Sequence, residues 1–365
     1  MKSTLLALLV LCFAPAVAPA RAQGTTGQGP AAKTLALKVG DKAPLLAIEK
    51  WVKGAPVASF EKGQVYMIEF WATWCRPCIQ SMPHISALQK EHANRGFTVI
   101  GVTSVDKRNT LEAVEKLVAE KGDGMAYTVA WDKDRATNDA FMQASGQNGI
   151  PCSFLIDRDG YVAYIGHPMG IDATLAEVLA GTHDLKALAA QFAKAKEIEA
   201  KANAIQLEMN KAARAKEWNK MIELCDQLVE LDPDQFSGAA ATKFRVLAIE
   251  LKDTARAFAY AKEALAGFAK SDANVLNAMA WTMIDPERPL PQTDAALALQ
   301  LAIRAVELTE RKSAAILDTL ARAHFVKGDV DQAIAVQSEA VALDKDLQPA
   351  LDEYKAAKAG KKPGQ

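Results

Sequence analysis

Between Leu35 and His183 the apolar positions fall in short runs. YMIEF (66–70), FTVIGVT (97–103), YTVAW (127–131), SFLID (153–157) and YVAYIG (161–166) are rich in β-branched and aromatic residues, the pattern of strands. The stretches 76–95, 109–121, 135–145 and 172–180 carry helical patterning. Strands alternating with helices predict an α/β sandwich around a mixed sheet. Asp159-Gly160, between the last two runs, is a hairpin-turn signal.

From about Leu185 the texture changes. Ala, Leu, Lys and Glu dominate, and strand patterns vanish. The segment 313–347 fits a 34-residue helix–turn–helix repeat. Leu317, Leu320 and Ala321 form the stripe of its first helix, Gly328-Asp329 makes the turn, and Ala333, Ala340 and Leu343 are expected to face back from the second. Equivalent second-helix positions fall at Leu228, Ala264 and Ala305. The three prolines of IDPERPLPQTD (284–294) forbid helix there and lengthen one spacing. This resembles a tetratricopeptide (TPR) array of about four units, an architecture that implies a concave face for a protein or peptide partner.

The first 22 residues change the picture of where the chain works. Lys2, the apolar run LLALLVLCFAPAVA and Ala20-Arg21-Ala22 have the order of a secretory signal, predicting cleavage before Gln23. Residues 23–33 read as a linker and 359–365 as a disordered tail. No other run of about 18 apolar residues occurs, so the mature protein is expected to be soluble and exported, most readily to a bacterial periplasm. A net charge of −1 gives no basic field for nucleic acid. Removing Cys12 with the signal leaves four cysteines in an oxidising compartment, too few for a disulfide scaffold in a chain of 365 residues.

The chemistry centres on FWATWCRPC, where Cys75 and Cys78 stand two residues apart. The residues alone allow a metal clip, a structural staple or a reactive dithiol. A metal clip needs two further ligands, and the histidines are scattered; a copper site would need one of them. A staple over so short a loop would constrain the unfolded chain little.

Taken with GDKAP (40–44), Pro83, GIPCSFLIDRDG (149–160) and GHP (166–168), the motif resembles the thioredoxin superfamily, in particular its TlpA/ResA-like disulfide reductases. The resemblance implies a thioredoxin-like redox domain over 34–184, followed by TPR-like helical repeats over 185–358. It implies a redox-active Cys75–Cys78 disulfide with no other cofactor and no metal. It also implies a buried carboxylate at Glu69 that takes a proton from Cys78, and a cis peptide bond at Ile150-Pro151 against which an extended client segment pairs. The residues agree with this reading. A strand delivers Cys75 to a helix N-terminus, where free N–H groups, the helix dipole and the charge of Arg76 favour a thiolate, and Pro77 is tolerated in the first turn. Cys75 is then the attacking thiol and Cys78 the resolving one. Glu69 interrupts an apolar strand, and alternation alone would let it face solvent. Trp74 is expected at the docking surface and Trp71 in the core.

Two positions depart from the family. Ser81 stands where cytochrome-maturation reductases carry glutamate, and Cys152 follows the proline where Thr or Ser is usual. Cys152 is either a redox modulator or a small buried residue, and Cys225 reads as core filler. The expected function is an exported thiol–disulfide oxidoreductase, working as a reductase. Its partners would be protein thiols and disulfides of exported clients, a membrane or soluble thiol electron donor, and a protein docked on the repeats. A peroxiredoxin-like peroxidase and a TPR adaptor with a redox-sensing domain are the alternatives.

Overall fold

A computed structural model describes residues 37–360. The expected signal (1–22), the linker (23–33), residues 34–36 of the expected redox domain and all but the first two residues of the tail lie outside the described residues. The chain divides into two compact units at Leu185/Lys186.

The first unit is built on β1 (Lys50–Lys53), β2 (Val65–Phe70), β3 (Phe97–Ser104), β4 (Thr128–Asp132), β5 (Cys152–Ile156) and β6 (Val162–Gly166). They form one sheet in the order β1-β4-β3-β2-β5-β6. The β2–β3 and β3–β4 pairs are parallel; β1–β4, β2–β5 and β5–β6 are antiparallel. Helices α1 (Arg76–His92), α2 (Leu111–Lys121) and the single turn α3 (Ala136–Asn138) lie between successive strands, and α4 (Asp172–Ala180) follows β6. This is the thioredoxin-type mixed sheet with flanking helices.

All six residues of β2 are buried, as a strand covered on both faces requires. On one face Phe70, Phe154 and Phe141 meet with ring centroids 5.2–6.0 Å apart. Each such ring contributes about 1.5–3 kcal/mol by leaving water. At the β5–β6 hairpin the Asp157 carboxylate accepts from the Asp159 and Tyr161 amides, and Gly160 supplies the left-handed φ of 82°.

The second unit is helical: α5 (Leu185–Ala215), α6 (Trp218–Leu231), α7 (Pro233–Phe236), α8 (Gly238–Arg245), α9 (Thr254–Ala266), α10 (Ala273–Ile284), α11 (Ala295–Leu308), α12 (Ala314–Lys327), α13 (Val330–Leu343) and α14 (Gln348–Lys358). Successive helices α10–α14 pack on one another. Ala261, Ala264, Ala302, Ala305, Ala321, Ala333 and Ala340 are fully buried, because only small side chains let helices approach this closely. Leu228 is buried as well, and Cys225 is wholly enclosed. Leu343 corrects the sequence reading: it is the last residue of α13 and is 56% exposed. No helix among the described residues is long and apolar enough to cross a membrane.

Candidate active site

The chain leaves β2 at Phe70, turns through Trp71–Trp74 and enters α1 at Arg76. Cys75 caps that helix, its Sγ accepting from the Cys78 amide at 3.2 Å. The sulfur therefore meets the positive end of the helix dipole and an N–H that helical pairing leaves unused. Cys75 and Cys78 form a disulfide. Cys75 keeps 4% exposure and Cys78 none. Arg76 and Pro77, in the first turn, are exposed. The Ile150–Pro151 bond is cis, and the Ile150 carbonyl oxygen lies 3.7 Å from Cys75 Sγ. Cys152 is buried, paired in register with Phe70 and outside the disulfide. Ser81 is buried, its hydroxyl donating to the Cys78 carbonyl.

Glu69 does not face solvent. It is 1% exposed, and burial pushes its carboxyl from 4.5 up to about 8. Trp71 is buried and Trp74 is 42% exposed. Trp74 is nonetheless held: its Nε1 donates to Asp106 at 2.8 Å, and the Arg108 guanidinium stacks 4.3 Å from its ring.

Sequence reasoning missed the brace behind this loop. Asn109 is fully buried. Its Oδ1 accepts from both the amide and hydroxyl of Thr73, and its Nδ2 donates to Thr103 Oγ1 and the Ser104 carbonyl. Thr103 in turn donates to the Trp71 carbonyl. One side chain thus fixes the turn that presents Cys75. Its only sequence signal is a polar residue ahead of an apolar-periodic helix, which also marks ordinary helix starts.

A groove of about 530 Å³ opens beside the disulfide. Its lining includes Trp74, Asp106, Arg135, Asn138 and Gln147 to Ile150. Arg135 holds a left-handed φ of 61° and donates to Asn138 Oδ1 at 2.7 Å. The expected helix at 135–145 is present from Ala136 to Gln143, Arg135 standing just before it. It starts as α3, and residues Asp139–Gln143 continue with π-type pairing. No group of three or more His, Cys, Asp or Glu side chains among the described residues is arranged to hold a metal.

The redoxin family profile matches residues 38–179. Protein FixW of Rhizobium leguminosarum is 24% identical over 149 residues, covering 40% of this chain and 67% of that protein. Thiol-disulfide oxidoreductase ResA of Bacillus thuringiensis subsp. konkukian (strain 97-27) is 30% identical over 156 residues, 42% of this chain and 80% of that protein. For the ResA of Bacillus thuringiensis (strain Al Hakam), 34% identical over 101 residues, the chain spans about half of that protein's length, 53%. A solved thiol:disulfide interchange protein of the thioredoxin family from Chlorobium tepidum TLS is 31% identical over 38% of this chain and 95% of its own, with a TM-score of 0.33.

Proposed function

The chain belongs to the redoxin family of thioredoxin-fold proteins, and from that premise we propose that it is a thiol–disulfide oxidoreductase working on protein disulfides as a reductase. The observation that carries this reading is the Cys75–Cys78 disulfide at the start of α1, with Cys75 as the helix cap and the more accessible sulfur.

In the reduced protein the Cys75 thiolate attacks one sulfur of a client disulfide. That S–S bond breaks, a mixed disulfide forms, and the second client sulfur leaves as a thiolate that takes a proton. Cys78 then passes its proton to Glu69 in its ionised form and attacks the Cys75 sulfur. The mixed disulfide breaks, the client sulfur that Cys75 had captured leaves as a thiolate and takes a proton, and the Cys75–Cys78 bond forms. Two electrons have moved from this protein to the client, and a thiol donor restores the dithiol by the reverse exchange.

An extended client strand lies along Ile150-Pro151 in this reading, with Trp74, Arg76 and Pro77 around it. Cys152, next to that strand, tunes the couple. The helices beyond Leu185 serve as TPR-like repeats that dock a protein partner. Export rests on the sequence of residues 1–22.

The test is the equilibrium of the Cys75–Cys78 couple against glutathione and dithiothreitol buffers, on the wild type and Cys152→Ser. A potential near about −270 mV supports a reductase, and one near about −120 mV makes the protein an oxidant instead. An unshifted potential in Cys152→Ser removes that residue from the site.

A further inference from the structure

Val129 on β4, Gly101 on β3, Glu69 on β2, Ser153 on β5 and Gly166 on β6 are register partners across the sheet. They therefore share one face. Gly101 has no side chain, and two rings occupy the space. A Cβ there would meet Tyr127 Cε2 at 3.0 Å and Trp71 Nε1 at 3.1 Å. Both rings lie on the Glu69 face, against the strand beside it.

This patch buries polar atoms that no described residue satisfies: both carboxylate oxygens of Glu69, Trp71 Nε1, Tyr127 OH and Ser153 Oγ. All four residues are at most 4% exposed. Buried polar atoms find a partner in roughly nine cases of ten, so five orphans at neighbouring positions form one feature. Their chemistry is complementary. Trp71, Tyr127 and Ser153 bring three donors, and an ionised Glu69 brings two oxygens and no donor.

The charged surroundings are sparse. Gly101 and Ser153, facing Glu69 from β3 and β5, carry no charge, nor does Val129 on β4, and Cys78 on α1 is tied in the disulfide. Two tyrosines share this face: Tyr164, whose hydroxyl sits against Gly166 and donates to the His167 carbonyl, and Tyr127, whose hydroxyl has no partner among the described residues. Burial holds the Tyr127 phenol well above the usual range, and the Glu69 charge pushes it further the same way.

We infer that Trp71, Tyr127 and Ser153 form a donor bay for the Glu69 carboxylate, bridged by buried water, in which Tyr127 is the positioning residue that holds the ionised form. The donors stop short of the carboxylate, and water with two to four polar partners is the ordinary bridge across such a gap. Gly101 builds the bay, since a side chain there would push both rings away. An acid with no donors in reach keeps its proton, whereas one facing three donors can release it and take it back. The bay deepens the proposed role of Glu69 as proton acceptor for Cys78 and takes its functional meaning from that reading; its test does not depend on it.

The experiment is a carboxyl ¹³C NMR titration of Glu69 in the full-length disulfide form, with the signal assigned by Glu69→Gln. It compares the wild type with Tyr127→Phe, Ser153→Ala and Tyr164→Phe. Tyr164 is the control, a partly buried tyrosine of the same sheet whose hydroxyl donates to the His167 carbonyl. Tyr127→Phe is expected to raise the Glu69 midpoint by about one pH unit, the size of a hydrogen bond to an ionised group. Ser153→Ala raises it less, and Tyr164→Phe leaves it in place. A midpoint unmoved in Tyr127→Phe, or moved as far by Tyr164→Phe, overturns the bay. If Tyr127→Phe does not fold, an unmoved midpoint in Ser153→Ala overturns it. Disulfide exchange on the same wild-type sample separates the two ideas. An active protein with an unmoved variant midpoint loses only the bay, and an inactive one with a shifted midpoint loses only the oxidoreductase reading.

Discussion

Replacing Glu69 by Gln is expected to stabilise the first unit, increasingly so as pH rises. Folded Glu69 holds its proton up to about pH 8, whereas in the unfolded chain it titrates at the ordinary 4.5. Below pH 4.5 both states are protonated, and the ionisation costs the fold nothing. Between the two values the unfolded chain alone releases the proton, which favours unfolding by about 1.4 kcal/mol per pH unit. Above pH 8 both states are ionised, and the penalty levels off at a ceiling of about 5 kcal/mol. Gln cannot ionise and escapes it. Urea unfolding of both proteins with the disulfide intact, followed by the amide signals of β2 and β3 at pH 5, 7 and 9, measures the gap. The gap should open from near its smallest value at pH 5 to several kcal/mol at pH 9. A gap that stays constant across the range would refute the assignment of Glu69 as a buried acid without a cation.

Asn109→Ala strips partners from the Thr73 amide and the Ser104 carbonyl, and should cost about 2–4 kcal/mol in urea unfolding while slowing exchange at Cys75. Trp74→Ala should lower kcat/KM for a protein disulfide about tenfold, as loss of an aromatic anchor does, and leave the reaction with dithiothreitol unchanged. Burial pushes the Cys225 thiol up to about 12 and leaves it no exposure, so native protein at pH 8 should resist iodoacetamide there by mass spectrometry. Cys225→Ser, which buries a hydroxyl in the same place, should lose about 1–3 kcal/mol.

The central strands were legible because burial on both faces writes them as runs dominated by apolar residues; β2, β3 and β5 lie within one residue of their expected limits. The edge strand β1 escaped, since KWVK has lysines at both ends and pairs on one side only. Cys75, Cys78, Ile150 and Pro151 could be found because each sits in a contiguous motif. Asn109, Asp106 and Tyr127 could not, because their roles come from register. Asn109 matters through Thr73, 36 positions earlier, and Tyr127 through a glycine on the neighbouring strand. Leu343 shows the opposite failure, a periodic apolar position left exposed because its helix ends there.

Trapping of a mixed disulfide tests the proposed chemistry most directly. Reduced Cys78→Ser and Cys75→Ser variants are each mixed with a disulfide-bonded peptide, quenched with acid and analysed by mass spectrometry. Cys78→Ser should accumulate a peptide adduct on Cys75, while Cys75→Ser should carry none. Equal adducts on both variants, or none on Cys78→Ser, would contradict Cys75 as the attacking thiol of an oxidoreductase.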